Sequence, residues 1–413
     1  MKNSRRLVLL SAGALMASPL SAVDVSNEDI QSLRDWINSK RMITVKELGG
    51  QLSISGDIHA EMQAANEVIG GIQQRGRGTD RPNNAYDVEF NLNIDYRTEN
   101  TWAAARIRFD NDAGISNSFF GSGTTDKLKV DRAYFGYRVL DRDRHTMQVE
   151  LGRRSTINMV FDSKLQFTSI FDGANFEDSY ALEKVGDVYY KLGAFLVSDK
   201  KDQAAYLGEV GILNIAKTGF YGKYSLIDWD TKDDIRIPPQ FHFIVSQLTL
   251  GYKFIPTALD KIVWFYAAGL YNHRARPMEV SDHKRANFGG YLGFSIGQIK
   301  LAGDWSVEAN YQVLAAQCVP DFDVAGIGMG NSTGNGFYYT KTKTASGKDT
   351  IVASTRKTAE GNVNYRGFTI NVQYLVTNNL NILQEWKQSI TLDDSIGPFR
   401  RFKQYEIDFI YLF

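Results

Sequence analysis

The sequence predicts an all-β fold: a transmembrane, up-and-down antiparallel β-barrel of about 16 strands, preceded by one short helix. Three observations carry this expectation. From Leu52 to the C-terminus apolar residues recur with a period of two rather than 3.6. The alternating segments outrun the roughly five or six residues of an ordinary soluble strand and match the roughly 9 to 11 needed to cross a bilayer at a tilt. Their connections alternate between short and long, the rhythm of a barrel with tight turns at one end and long loops at the other.

Composition agrees. In 413 residues, 47 Lys+Arg balance 47 Asp+Glu, so the basic excess that binds nucleic acid through counterion release is missing. The 36 Gly and 21 Tyr against 8 Pro suit strands and turns. Cys318 is the single cysteine, which excludes an internal disulfide and a thiolate metal cluster. No cofactor is indicated. Past the first two dozen residues no apolar run is long enough for a membrane helix, whereas alternating strands average to a mean hydropathy as ordinary as −0.30.

Residues 1–22 read as a cleaved export signal. Lys2, Arg5 and Arg6 form the positive start, Leu7 to Met16 the apolar stretch, and Ser18-Pro19-Leu20-Ser21-Ala22 the small-residue exit. Residues 23–50 read as a periplasmic helix and linker: Ser26 and Asp29 have capping-box spacing, and Ile30, Leu33, Trp36 and Ile37 share a helical face as far as Lys40. Residues 51–413 form the barrel.

The expected strands are 51–64, 85–98, 101–110, 127–139, 145–154, 166–180, 187–197, 206–215, 219–229, 241–255, 262–274, 285–298, 304–317, 362–376, 379–392 and 399–413. The second is the cleanest: Tyr86, Val88, Phe90, Leu92, Ile94 and Tyr96 interleave with Asp87, Glu89, Asn91, Asn93, Asp95 and Arg97. Charges interrupt 166–180 and 379–392, which leaves 14 and 18 strands as alternatives. With apolar residues taken as lipid-facing, Leu92→Arg should cost about 2–4 kcal/mol near the bilayer midplane, and lumen-facing Asn91→Arg little.

At the C-terminus Tyr405, Ile407, Phe409, Tyr411 and Phe413 place an apolar residue at every second position and end on Phe. Here the chain resembles the Gram-negative outer-membrane β-barrels, and the resemblance implies that these five residues are the signal read by the barrel-assembly machinery. Strand number and tyrosine-rich strands look like the 16-stranded porins. The stretch Phe161-Asp162-Ser163-Lys164-Leu165-Gln166-Phe167, followed by Phe171-Asp172-Gly173, is similar to one in porin-like outer-membrane proteins of chlamydia-type bacteria. Porin resemblance implies a non-enzymatic, water-filled channel for small hydrophilic solutes and ions, seated in outer-membrane lipid, with a homotrimer among its possible assemblies. An adhesin, a substrate-specific transporter or a barrel enzyme stands as the alternative.

A barrel of this width has a solvated interior, so inward side chains can carry charge. The inward set of strands three to five holds Arg106, Arg108, Arg132, Arg138 and Arg154 with Tyr134. The following connection, Ser155 to Leu165, carries Asp162 and Lys164 and, by resemblance, folds into the pore as a constriction. Basic wall and loop would set up a transverse field that orients polar solutes. In the alternative reading the arginines pair with Glu150, Asp87, Glu89 and Asp95 as cross-strand ladders. Inward acids Asp57, Glu61, Asp87 and Glu89 offset the arginines, which points to modest anion preference or near-neutrality. Asp57, His59 and Glu61 share one face of the first strand, as a metal site or protease pair would, but any lumen strand shows such spacing. Gly326 to Gly336 lacks the Lys-Ser or Lys-Thr of a phosphate loop and reads as an external loop.

Overall fold

The computed structural model describes residues 49–413 except 74–75, 78–80, 83, 112–126, 156–160, 168–169, 199–202, 231–242, 278–283, 321–322, 328–338, 344–348, 354–362 and 397–398. The expected signal segment and the helix at Ser26 to Lys40 lie outside the described residues.

Consecutive strands pair antiparallel: β1 (Gln51–Ile69), β2 (Asn84–Arg97), β3 (Thr101–Asn111), β4 (Lys127–Arg142), β5 (His145–Ser155), β6 (Ile170–Leu182), β7 (Gly186–Ser198), β8 (Gln203–Ile215), β9 (Phe220–Asp230), β10 (Phe243–Phe254), β11 (Val263–Asn272), β12 (Phe288–Gly297), β13 (Trp305–Leu314), β14 (Tyr365–Thr377), β15 (Leu380–Thr391) and β16 (Arg400–Leu412). β16 pairs back onto β1 from Asp57↔Leu412 to Ile69↔Arg400, so this is a closed 16-strand barrel. Closure removes the open edges, whose N–H and C=O groups lipid could not satisfy. The segment at 379–392 is a full strand, β15, hydrogen-bonded on both sides, which settles the count at 16.

Alternation sorts the two faces. On β2, Tyr86 and Val88 are exposed outward while Asn91 is buried within. Phe135, Leu192, Leu250 and Leu292, each more than half exposed, belong to an apolar outer surface that continues around the barrel. An apolar surface of that extent calls for an apolar solvent.

Leu92 sits midway between Tyr86 and Tyr96, so Leu92→Arg is expected to cost about 2–4 kcal/mol in a folding titration. Asn91 is not the neutral comparison that the alternation suggested. It is 3% exposed, and its Nδ2 donates to both Asp57 and Glu89. Half-buried Ser55, on the lumen face of β1 and two residues from Asp57, is the proper control, and Ser55→Arg should cost under about 1 kcal/mol. Equal losses for the Leu92 and Ser55 variants would contradict the assignment of faces.

Two expectations are corrected. β6 begins at Ile170, not 166, because residues 161–167 leave the wall and enter the lumen. Nor do all apolar residues face outward. Phe195, Leu207, Ile227, Trp229, Val245 and Leu270 point inward and are buried with Phe161, Leu165 and Phe167 of the inserted segment and with Ala316, Cys318, Val319 and Val324. An apolar core therefore fills the loop end of the barrel along β6–β14. Near that end both faces of a strand are apolar, and a period of two cannot say which is which.

Candidate functional site

The lumen is built from the inward faces of the strands and the 161–167 segment. That segment lies against the far wall rather than the arginines. Lys164 Nζ is 2.7 Å from Glu308 on β13 and 5.6 Å from the Tyr266 ring centroid on β11. Gln247 of β10 donates to the Asp162 carbonyl at 3.0 Å. Phe167 donates its backbone N–H to Asp323 at 2.9 Å, and Gln166 bridges to Val324. Phe167 has φ 72°, a conformation that costs a bulky residue about 1–3 kcal/mol. Its ring is held edge-on to Phe161 at 4.5 Å and near Trp229 at 6.1 Å, so packing compensates for the strain. Cys318 sits in the same apolar core, fully buried, and burial raises its thiol pKa far above the ordinary value.

The five arginines all face inward but have different partners. Arg106 forms a two-pronged ion pair with Asp131 on β4. Arg108 pairs with Glu89, Arg154 with Glu150, and Arg138 with Asp141 at 2.6 Å. Arg154 also lies 4.5 Å over the Tyr134 ring, and Glu150 accepts from Trp102 Nε1 at 3.0 Å. Arg132 is half-buried and has no hydrogen bond or ion pair among the described residues. Asp131 was not visible in the pattern because the β3–β4 register shifts between Arg106 and Ile107. That bulge turns Asp131 and Arg132, neighbours in sequence, to the same side.

Beneath the inserted segment, toward the turn end, lies a cavity of about 920 Å³. Tyr134, Arg138, Glu150, Arg154 and Asp162 line it; Arg106, Arg108, Arg132 and Lys164 stand outside its lining. Its other wall carries a feature missed in sequence. Lys191 and Lys223 stand over Tyr189 and Tyr221 at 5.4 and 5.5 Å, and Lys253 over Trp264 at 4.9 Å. Trp264 Nε1 donates to the Tyr221 hydroxyl at 2.7 Å. The signal is Tyr-x-Lys at 189–191 and 221–223, hidden in the sequence because tyrosine stands in lipid-facing and inward sets alike. Its hydroxyl also suits a wet interior.

Cations thus line the lumen from β3 to β5 and from β7 to β10. The acids Asp57, Glu61, Asp87, Glu89, Glu385, Glu406 and Asp408 gather on β15, β16, β1 and β2. Glu61, offered with Asp57 and His59 by spacing, is replaced near them by Glu89 from the neighbouring strand. Of the glycine-rich stretch, Gly326 packs against the Tyr365 hydroxyl inside the apolar core, and the residues from Gly328 to Gly336 are outside the described set.

Neither a protein-family model nor a curated protein sequence matches the chain. Among solved structures it is similar to Pseudomonas putida OprB at TM-score 0.54 and 9% identity, over 88% of this chain and 94% of that one. Salmonella typhi OmpF aligns at TM-score 0.48 and 11% identity over 88% and 98%, and a mutant Rhodopseudomonas blastica porin at 0.43 and 10% over 88% and 100%. The OprB likeness carries the comparison, and at that identity it speaks for the fold alone. With the closed barrel and its inserted segment, it gives this chain the architecture of a porin-like β-barrel.

Proposed function

We propose that the protein is an outer-membrane porin, a water-filled channel for passive diffusion of small hydrophilic solutes and ions, with no enzymatic step. The observation that carries this reading is the charged cavity beside the inserted segment, enclosed by a barrel whose outer surface is apolar. A soluble β-protein has no use for that outer surface, and an adhesin has no use for a wide charged interior. In the cell the turn end faces the periplasm, export uses the cleaved N-terminal segment, and the Tyr405 to Phe413 strand is read by the barrel-assembly machinery. Residues Arg138, Arg154, Asp162 and Lys191, which line the cavity, act on the passing solute directly, and Arg132, outside the lining, acts on it through its field. Paired Arg106 and Arg108 serve mainly as ladder residues.

The charge layout supports weak selectivity, because the acids on β15, β16, β1 and β2 offset cations elsewhere around the lumen. Arg132, lacking a carboxylate partner among the described residues, carries a charge that no ion pair there compensates. In planar bilayers under a salt gradient, Arg132→Gln should move the reversal potential toward cations. The shift should be larger below 0.1 M salt, where screening reaches beyond about 10 Å. A reversal potential unchanged at low salt would remove Arg132 from the pathway.

A further inference from the structure

We propose that Asp57, His59 and Glu89 form a binding site for a single divalent transition-metal cation on the lumen wall, with Zn²⁺ the best match to its ligands. One donor atom from each lies within 4.8 Å of the others, and all three residues are half-buried. An imidazole nitrogen with two carboxylates is a donor set that Zn²⁺ accepts while keeping a fourth position open to water.

Geometry around the three residues supports a metal beyond mere acidity. His59 Nδ1 is 2.7 Å from Asp408 Oδ2, and Asp408 is 5% exposed. A carboxylate on one ring nitrogen fixes the tautomer in which the other, Nε2, is the metal-binding atom. Nε2 lies 2.8 Å from Asp57 Oδ2. Arg108 holds Glu89 through Oε2, while Asn91 Nδ2 donates to Glu89 Oε1 and to Asp57 Oδ2, each at 2.6 Å, so the ion shares these oxygens with the amide. Each ligand is therefore oriented by a second group before any ion arrives. The buried Asn91 Oδ1 has no hydrogen-bond partner among the described residues. A buried orphan oxygen is costly, and a metal-bound water donating to Asn91 Oδ1, whose own amide already contacts Asp57 and Glu89, removes that cost.

The competing account is a protonated imidazole bridging Asp57 and Asp408. Metal binding replaces the Nε2 proton, which leaves to solvent as the ion enters. The two accounts separate without reference to channel activity. In titration calorimetry of the refolded full chain in detergent, zinc chloride should bind at one-to-one stoichiometry. Glu89→Gln and His59→Gln should each abolish that binding. Asp408→Asn, which removes only the orienting charge, should weaken it roughly 10- to 100-fold. His145→Gln, on the outer face, should leave it unchanged. Each variant is first shown to keep the heat-modifiable mobility of the folded barrel. Absence of saturable one-to-one binding in the parent, parent-like affinity in a folded Glu89→Gln, or loss of binding in His145→Gln would each overturn the site.

Discussion

Deleting Phe413 is expected to cut the folded barrel in the outer membrane to a small fraction of the parent level while export across the inner membrane continues. Phe413 closes the cylinder. Its N–H donates to the Gly56 carbonyl at 2.9 Å, its carbonyl accepts from the Gly56 N–H at 2.8 Å, and its ring stacks near Phe90 at 6.1 Å. Gly56 is the residue that permits this, since a Cβ there would stand 2.4 Å from the Phe413 ring. Deletion removes two hydrogen bonds worth about 1 kcal/mol each and a ring pair worth about 1 kcal/mol, together with the proposed recognition signal. Heat-modifiable mobility of outer-membrane fractions reads the result. Gly56→Leu, which keeps the terminal Phe but blocks its seat, separates closure from recognition: it should lower stability in refolding experiments with purified chain, where no assembly machinery acts. Undiminished barrel levels after deletion of Phe413 would contradict both roles.

The second large effect is expected at Arg106. Its guanidinium pairs with Asp131, which is 2% exposed, so Arg106→Gln leaves a carboxylate buried in the wall without its counter-charge. Removing one partner of a buried ion pair typically costs about 3–5 kcal/mol. The double variant Arg106→Gln with Asp131→Asn should recover most of that loss, because no buried charge remains. Urea titrations of the two single variants and the double give the coupling directly. Additive losses would show that the pair is not a unit. The same comparison bears on permeation: a residue engaged in this way contributes less field to the pore than Arg132, which has no ion pair among the described residues, so replacing Arg106 and Arg132 together would confuse stability with selectivity.

Strand boundaries were legible in sequence because a wall with water on one side and an apolar medium on the other imposes a period of two. β1, β2 and β13 show it residue by residue. It failed where the inserted segment covers the inner face. Ile227 and Trp229 on β9 have an apolar environment inward as well as outward, so their apolarity no longer reports a side. Asp131 was lost to a bulge, which hydropathy does not register. The partner of Lys164, Glu308, lies 144 positions away, and only the topology brings it near. The lysine and aromatic wall was lost to the double nature of tyrosine. Arg106 and Arg108 are legible because guanidinium groups alternating with Ala105, Ile107 and Phe109 mark which face is wet.

The central claim is an aqueous path through the cavity beneath residues 161–167, and its most direct measurement is single-channel conductance of Lys223→Cys in a planar bilayer, before and after a charged thiol reagent. Lys223 lines that cavity, while native Cys318 is fully buried and out of the reagent's reach. Discrete conductance steps are predicted, with step size falling on modification of the variant and unchanged in the parent chain. A bilayer without steps, or a variant whose steps survive verified labelling at position 223 unaltered, would contradict the channel.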